Sequence, residues 1–150
     1  MVKAILFDFD GVLTIDATGS QSICNYVCKE INMDMLELVK KIKCKGYKTA
    51  MVTDNKADRI EKITEHFAFE KIFDVIVVSA NIGSGKDKED IFIRTMEKLK
   101  VTADECVFID NQQNNLLISE KLGMKVIFYN HEEKNIDRLQ KQLVSLGLNF

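Results

Sequence analysis

Lys3-Ala-Ile-Leu-Phe7 runs directly into Asp8-Phe-Asp10-Gly-Val-Leu-Thr14. A short, nearly continuous apolar run suits a strand covered on both faces, and here it ends in two acids and a glycine. Four further runs repeat the pattern: Lys48-Thr-Ala-Met-Val52, Asp74-Val-Ile-Val-Val78, Cys106-Val-Phe-Ile109 and Lys125-Val-Ile-Phe-Tyr129. Between them the apolar residues take helical spacing, over Met35 to Lys43, Asn55 to Phe67, Lys88 to Leu99 and Asn115 to Leu122. Glu132 to Leu146 reads as a closing helix, and Gly46 and Gly123 stand where helix C-caps belong. Strands alternating with helices predict an α/β fold: a Rossmann-like open parallel sheet of five strands with helices on both faces.

Composition agrees with that class. The chain has 150 residues, 46% hydrophobic and 29% charged, so one ordinary domain spanning 1–150 suffices. Residues 15–33 delay the first crossover and predict a minimal cap insertion with an extra helix around 22–31. Lys and Arg total 21 against 23 for Asp and Glu, a net charge of -2 that offers polyanions no attractive field. Nucleic acid is therefore not the expected partner. Cys24, Cys28, Cys44 and Cys106 form no C-x-x-C pair and no zinc-finger spacing, and they read as small apolar residues. Met1 leads into a strand-like segment without a leader pattern, and no apolar run reaches the ~20 residues that cross a bilayer. A reduced, cytoplasmic location is the expectation.

In open parallel sheets ligands bind beyond the carboxyl ends of the strands, at the point where strand order reverses. The residues following each strand therefore carry the functional reading. Asp8 and Asp10, two apart, would share a direction if the strand pleat continued, and two adjacent carboxylates in an apolar setting call for a divalent cation or a shared proton. The second strand ends in Thr53-Asp54-Asn55, a hydroxyl and new backbone N–H groups at a helix start, which suits a phosphate cradle or an ordinary N-cap. The third leads through Gly83-Ser-Gly-Lys86; Ala80 and Asp87 exclude a P-loop there. The fourth ends in Asp110-Asn111, before the polar entrance Gln112-Gln-Asn-Asn115. Convergence of these ends at one sheet edge would gather a nucleophile, an acid/base, a phosphate clamp and a cation site.

These residues resemble the motifs of the haloacid dehalogenase superfamily of phosphohydrolases, in its subfamily I pattern with a minimal cap. Asp-Phe-Asp-Gly-Val-Leu-Thr matches the first motif, Thr53 the second, and Lys86 with Ile91-Phe92 the third. Asp110-Asn111, with Asn115 and Leu122-Gly-Met124, is similar to the fourth. The resemblance implies an Mg²⁺-dependent phosphatase acting on a phosphate monoester, with Asp8 as nucleophile and Asp10 as acid/base. It implies that Thr53, the backbone N–H of Asp54 and Lys86 bind the phosphoryl group. For the metal it implies Asp8, the Asp10 carbonyl and the fourth motif. Where relatives carry two adjacent acids this chain has Asp110 and Asn111, so either of the two completes the site.

Dehalogenases of the superfamily lack the second aspartate, so C–halogen cleavage is not expected. Two other functions compete with hydrolysis: a non-catalytic binding module, favoured by Asn111, and phosphoryl transfer to an acceptor other than water. A small phosphorylated metabolite is the expected partner. An apolar stripe of Ile23, Tyr26, Val27 and Ile31 is expected to pack onto the domain beside Leu36 and Val39, or to meet a second subunit in a homo-oligomer that completes the cover; otherwise the open site suits a bulky or macromolecular phosphate.

Overall fold

The computed structural model describes residues 1–15 and 31–150. Most of the expected insertion, including the stripe residues Ile23, Tyr26 and Val27 and the cysteines at 24 and 28, lies outside the described residues. Five strands, β1 (Ala4–Phe7), β2 (Lys48–Thr53), β3 (Val75–Val78), β4 (Cys106–Asp110) and β5 (Lys125–Phe128), form one sheet in the order β3-β2-β1-β4-β5. Every pairing is parallel, as the continuous apolar runs predict. The major helices are α1 (Met33–Cys44), α2 (Ala57–Phe67), α3 (Asp90–Leu99), α4 (Gln113–Lys121) and α5 (Ile136–Ser145).

Period-two alternation divides the core into two layers. Ile5 and Phe7 of β1 face a cluster containing Met35, Val39 and Ile42 of α1, Ile60 and Ile63 of α2, and Leu139 and Leu143 of α5. Ala4 and Leu6 face the opposite cluster, with Ile91, Phe92 and Leu99 of α3 and Leu116 of α4. Cys106 belongs to this second layer, where burial pushes its thiol up to about 12, so it packs as an apolar residue. Cys44, at the end of α1, is exposed rather than buried. No helix among the described residues is long and apolar enough to cross a membrane.

Successive crossovers run from β1 to β3 in one direction, and the chain then returns to the other side of β1 to add β4 and β5. The order thus reverses between β1 and β4, whose registers pair Phe7 with Ile109. Asp8 and Asp110 follow these partners directly, so both acids stand at the switch point.

Several helices begin later than the sequence pattern suggests. The second starts at Ala57 instead of Asn55, the third at Asp90 instead of Lys88, and the closing helix at Ile136 instead of Glu132. The closing helix has a direct cause: Asn135 accepts the Arg138 N–H at 2.9 Å and caps the first turn. The chain leaves the first motif at Thr14 and returns at Ile31 through an antiparallel bridge, reinforced by the Asn32 N–H donating to the Leu13 carbonyl at 2.8 Å.

Candidate active site

The first strand ends at Phe7, and the pleat does not continue through the acids. Phe9–Leu13 form a tight π-type turn in which Asp10 stays extended (φ -70°, ψ 121°) and Gly11 takes φ 82°. That left-handed conformation is open to glycine and strained for other residues. The turn is closed by the Gly11 N–H donating to Thr14 Oγ1 at 2.9 Å. The expected common direction of Asp8 and Asp10 is therefore not realised: their carboxylates have different partners, and the Asp10 main-chain carbonyl takes its own place in the site.

Asp8 is buried, and its backbone N–H donates to the Ile109 carbonyl at 2.9 Å. Lys86 Nζ lies 2.6 Å from Asp8 Oδ1 and 2.7 Å from Asp110 Oδ2, bridging the two strand ends. Lys86 is only 2% exposed, so this ammonium has left bulk water and is held by charge. Burial alone would lower its proton affinity, but Asp8 and Asp110 outweigh it and hold Lys86 above the ordinary lysine value. Burial pushes the Asp8 carboxyl up to about 7, against the pull of Lys86 and with added repulsion from Asp110.

Asp110 is fully buried and occupied on both oxygens. Besides Lys86 it accepts from the Gln112 N–H at 2.8 Å and from Asn115 Nδ2 at 3.1 Å, which ties the start of α4 to the strand. Asn111, the next residue, points the other way, as neighbours at a strand end do. One terminal atom of its amide sits 2.9 Å from the Asp10 carbonyl oxygen and 3.2 Å from Asp8 Oδ2. With nitrogen in that place Asn111 donates to both. With its oxygen there, three oxygens meet, an arrangement that needs a cation.

Adjacent ligands of an octahedral Mg²⁺ with bonds of about 2.1 Å are separated by about 3 Å, so the two distances suit such an ion. Among the described residues no group of three or more His, Cys, Asp or Glu side chains forms a metal cluster. The fit rests on one carboxylate, one backbone carbonyl and one amide, all hard oxygen donors of the kind Mg²⁺ takes. Gly11 makes room for this arrangement, because a Cβ there would overlap the Asn111 amide.

Thr53, 1% exposed, accepts from Asn55 Nδ2 at 3.3 Å, and among the described residues its own hydroxyl hydrogen has no acceptor. Asp54 contributes more than its backbone. Its carboxylate accepts the Lys86 N–H, fixing the loop that carries the lysine. The Asp10 carboxylate is paired with Arg59, a residue the motifs do not reveal. Arg59 Nη1 and Nη2 lie 2.7 and 2.8 Å from Asp10 Oδ2 and Oδ1, while Asn55 Nδ2 donates to Oδ2 at 2.8 Å. Asn55, two residues ahead of α2, accepts from Arg59 Nη1 at 2.9 Å, and this spacing of four is the one sequence signal for the pair.

Residues 32–129 match the family described as haloacid dehalogenase-like hydrolases. A bifunctional riboflavin kinase/FMN phosphatase of Arabidopsis thaliana is 31% identical over 91 residues, 60% of this chain and 24% of that protein. The bifunctional epoxide hydrolase 2 of Rattus norvegicus is 29% identical over 117 residues, 75% of this chain and 21% of that protein. The chain thus spans less than a quarter of the length of these two relatives. Among solved structures, a HAD family enzyme of Bacteroides thetaiotaomicron, in complex with magnesium and inorganic phosphate, superposes with a TM-score of 0.74 at 16% identity. That superposition covers 93% of this chain and 99% of that one. A protein of Listeria monocytogenes gives a TM-score of 0.79 at 16% identity, covering 97% and 98%. With the family match extending from the start of α1 to the end of β5, the chain belongs to the haloacid dehalogenase-like hydrolases.

Proposed function

We propose that this chain is a phosphatase that hydrolyses a small phosphate monoester through an aspartyl-phosphate on Asp8, with Mg²⁺ as cofactor. The observation that carries the reading is Lys86 bridging Asp8 and Asp110 across the switch point, with the Asn111 amide on the other oxygen of Asp8. A buried carboxylate between a fixed ammonium and a cluster of hard oxygen donors is suited to attack at phosphorus. The FMN phosphatase among the relatives and the magnesium and phosphate bound to the Bacteroides enzyme support the same chemistry.

A carboxylate oxygen of Asp8 attacks phosphorus, the Asp8–phosphorus bond forms, and the ester P–O bond breaks. The leaving oxygen takes a proton delivered at Asp10. Water then attacks the aspartyl-phosphate, giving its proton to Asp10, and the Asp8–phosphorus bond breaks to release inorganic phosphate. Lys86 offsets charge on the phosphoryl oxygens, and the Thr53 hydroxyl and the Asp54 N–H donate to them. Mg²⁺ would be held by the Asp8 carboxylate, the Asp10 carbonyl and Asn111, where its charge offsets the repulsion between phosphate and nucleophile. Asp110 serves by orienting Lys86, so of the two fourth-motif residues Asn111 is the better-placed ligand.

Asn111 in place of an acid favours a second reading, a binding module that keeps the fold without turnover. Release of phosphate from an aryl phosphate, with Mg²⁺ and with a chelator, separates the two. The phosphatase reading expects Mg²⁺-dependent release that Asp8→Asn abolishes, because an amide cannot serve as this nucleophile. Equal rates in both proteins would remove Asp8 from the mechanism. Absence of turnover on a broad panel of phosphorylated metabolites would favour the binding module.

A further inference from the structure

Asn55, just beyond the end of β2, has a partner for every polar group of its side chain. Nδ2 donates to Asp10 Oδ2 at 2.8 Å and to Thr53 Oγ1 at 3.3 Å. Oδ1 accepts from Arg59 Nη1 at 2.9 Å and from the Lys56 N–H at 3.2 Å. The two ends of the amide are not interchangeable, because a carboxylate meets one and a guanidinium the other. The backbone N–H of Asn55 donates to Ser79 Oγ at 3.1 Å, which ties the residue to the end of β3. A carboxylate offers about four lone-pair directions, two on each oxygen. On Asp10, Oδ2 receives both Asn55 Nδ2 and Arg59 Nη1, whereas Oδ1 receives Arg59 Nη2 alone. Among the described residues Asp10 therefore keeps one open direction, and it lies on Oδ1. The Asp10 side chain is 23% exposed, so water and substrate have access to it.

We propose that Asn55 is a positioning residue for proton transfer: by filling Oδ2 it makes Oδ1 of Asp10 the oxygen that passes protons, and the same amide holds Thr53 in register with Asp10. The inference rests on the phosphatase reading, which gives Asp10 its acid/base role. A proton leaves Oδ1 for the leaving oxygen as the ester P–O bond breaks. A proton of the attacking water then returns to Oδ1 as the Asp8–phosphorus bond breaks. Oδ2 keeps its two donors through both steps, so the carboxyl group has no cause to turn between them. Without Asn55, Oδ2 gains an open direction of its own. The proton is then shared between two oxygens, of which one has the orientation that the reaction uses. Asn55 also fixes the polarity of Thr53, because an oxygen that already accepts from Nδ2 has its own hydrogen left to donate to a phosphoryl group.

The test compares 4-nitrobenzyl phosphate with 4-nitrophenyl phosphate, which differ by one methylene. The benzyl oxygen is basic enough to need a proton as it leaves, whereas the nitrophenyl oxygen departs without one. The readout is the ratio of kcat/KM, benzyl over phenyl, which covers the steps up to loss of the alcohol and so isolates proton delivery. Asn55→Ala should lower this ratio about tenfold, the scale of one hydrogen bond to a charged group. Asn55→Asp keeps both acceptor contacts, to Arg59 and to the Lys56 N–H, but turns an oxygen instead of a donor toward Asp10 and Thr53. It should lower the ratio as the alanine does. A merely structural Asn55 predicts something else: Asn55→Ala would slow both substrates together, and Asn55→Asp would restore them. If Asn55→Ala fails to fold, the isosteric Asn55→Asp decides. An unmoved ratio in a folded variant overturns the inference and leaves the phosphatase reading standing. So does turnover of the phenyl compound alone by wild type, since Asp10 then delivers no proton to be positioned. Absence of turnover of both compounds in Mg²⁺ overturns the phosphatase reading, and the inference with it.

Discussion

The Asp54 carboxylate accepts the backbone N–H of Lys86, 3.0 Å from Oδ1 and 3.3 Å from Oδ2, and so joins the end of β2 to the loop that follows β3. A buried ammonium shared by two carboxylates works only where its backbone is fixed, and this contact fixes it. Packing around Gly85 is tight as well, since a Cβ there would lie 2.9 Å from Asp54 Oδ1. Asp54→Ala removes the acceptor and leaves the N–H of a 2%-exposed residue unpaired, at a cost of about 1–3 kcal/mol. We expect kcat on an aryl phosphate to fall roughly ten- to a hundredfold by displacement of the clamp. Asp54→Asn keeps one acceptor oxygen and should recover most of the rate. Wild-type kcat in Asp54→Ala would show that the loop holds Lys86 unaided.

Asn111 should behave differently with and without metal. Its amide faces Asp8 Oδ2 at 3.2 Å and the Asp10 carbonyl at 2.9 Å. In a chelator, Asn111→Asp replaces a donor by a further anion beside those oxygens, so the melting temperature should drop by several degrees; about 1 kcal/mol corresponds to roughly 2–4 °C in a domain of this size. Millimolar Mg²⁺ should reverse the sign and place the variant above wild type, with a lower Mg²⁺ concentration for half-maximal activity. Calorimetric scans in the two buffers read both effects. Identical shifts in chelator and in Mg²⁺ would exclude Asn111 from the cation site.

The sheet was legible because each strand is buried on both faces, so Ala4–Phe7, Lys48–Thr53 and Cys106–Asp110 stand out as apolar runs. The gathering of Asp8, Asp54, Lys86 and Asp110 was legible because topology brings strand ends together whatever the details. Sequence adjacency could not decide which of Asp110 and Asn111 turns toward the Asp10 carbonyl, since neighbours at a strand end face opposite sides. Arg59 was hidden for another reason: it stands 49 positions from Asp10, and its four-residue spacing from Asn55 is the one local mark that separates it from a solvated charge. The π-type turn at Phe9–Leu13 follows from Gly11 and the Thr14 hydroxyl acting together, a pairing that no strand or helix periodicity encodes.

Gly11 is the residue that lets Asn111 and the Asp10 carbonyl meet. Gly11→Ala meets two obstacles: φ of 82°, and a Cβ overlapping the Asn111 amide. The left-handed conformation alone costs about 1–2 kcal/mol for a residue with a side chain. We expect the variant to fold with a modestly lower melting temperature and to lose most of its Mg²⁺ binding, measured by calorimetry without substrate. Retention of wild-type Mg²⁺ affinity would mean that Asn111 moves aside without consequence and holds no ion.

Far from the site, Asp74 gives the fold a pH-dependent tie. It accepts the Thr49 N–H at 2.8 Å and pairs with Lys43 at 2.6 Å, joining the entry to β3, the edge of β2 and the end of α1. Burial pushes its carboxyl up, but the Lys43 and Thr49 hydrogen bonds outweigh that push and hold it below the ordinary 3.8. The unfolded chain therefore binds this proton more readily than the folded one, and the tie's contribution is present above pH 3.8 and is lost as the pH falls through the lower folded value. Asp74→Asn keeps the shape and an acceptor but removes the charge. Because both side chains are about one-third exposed, solvent screening limits the expected loss at pH 7 to about 1 kcal/mol. Urea unfolding of both proteins at pH 7, 5 and 3 should show a gap that is equal at the two higher values and smaller at pH 3. All other carboxylates titrate in both proteins, so a gap that stays constant or widens at pH 3 would assign the stabilisation to something other than the Asp74 charge.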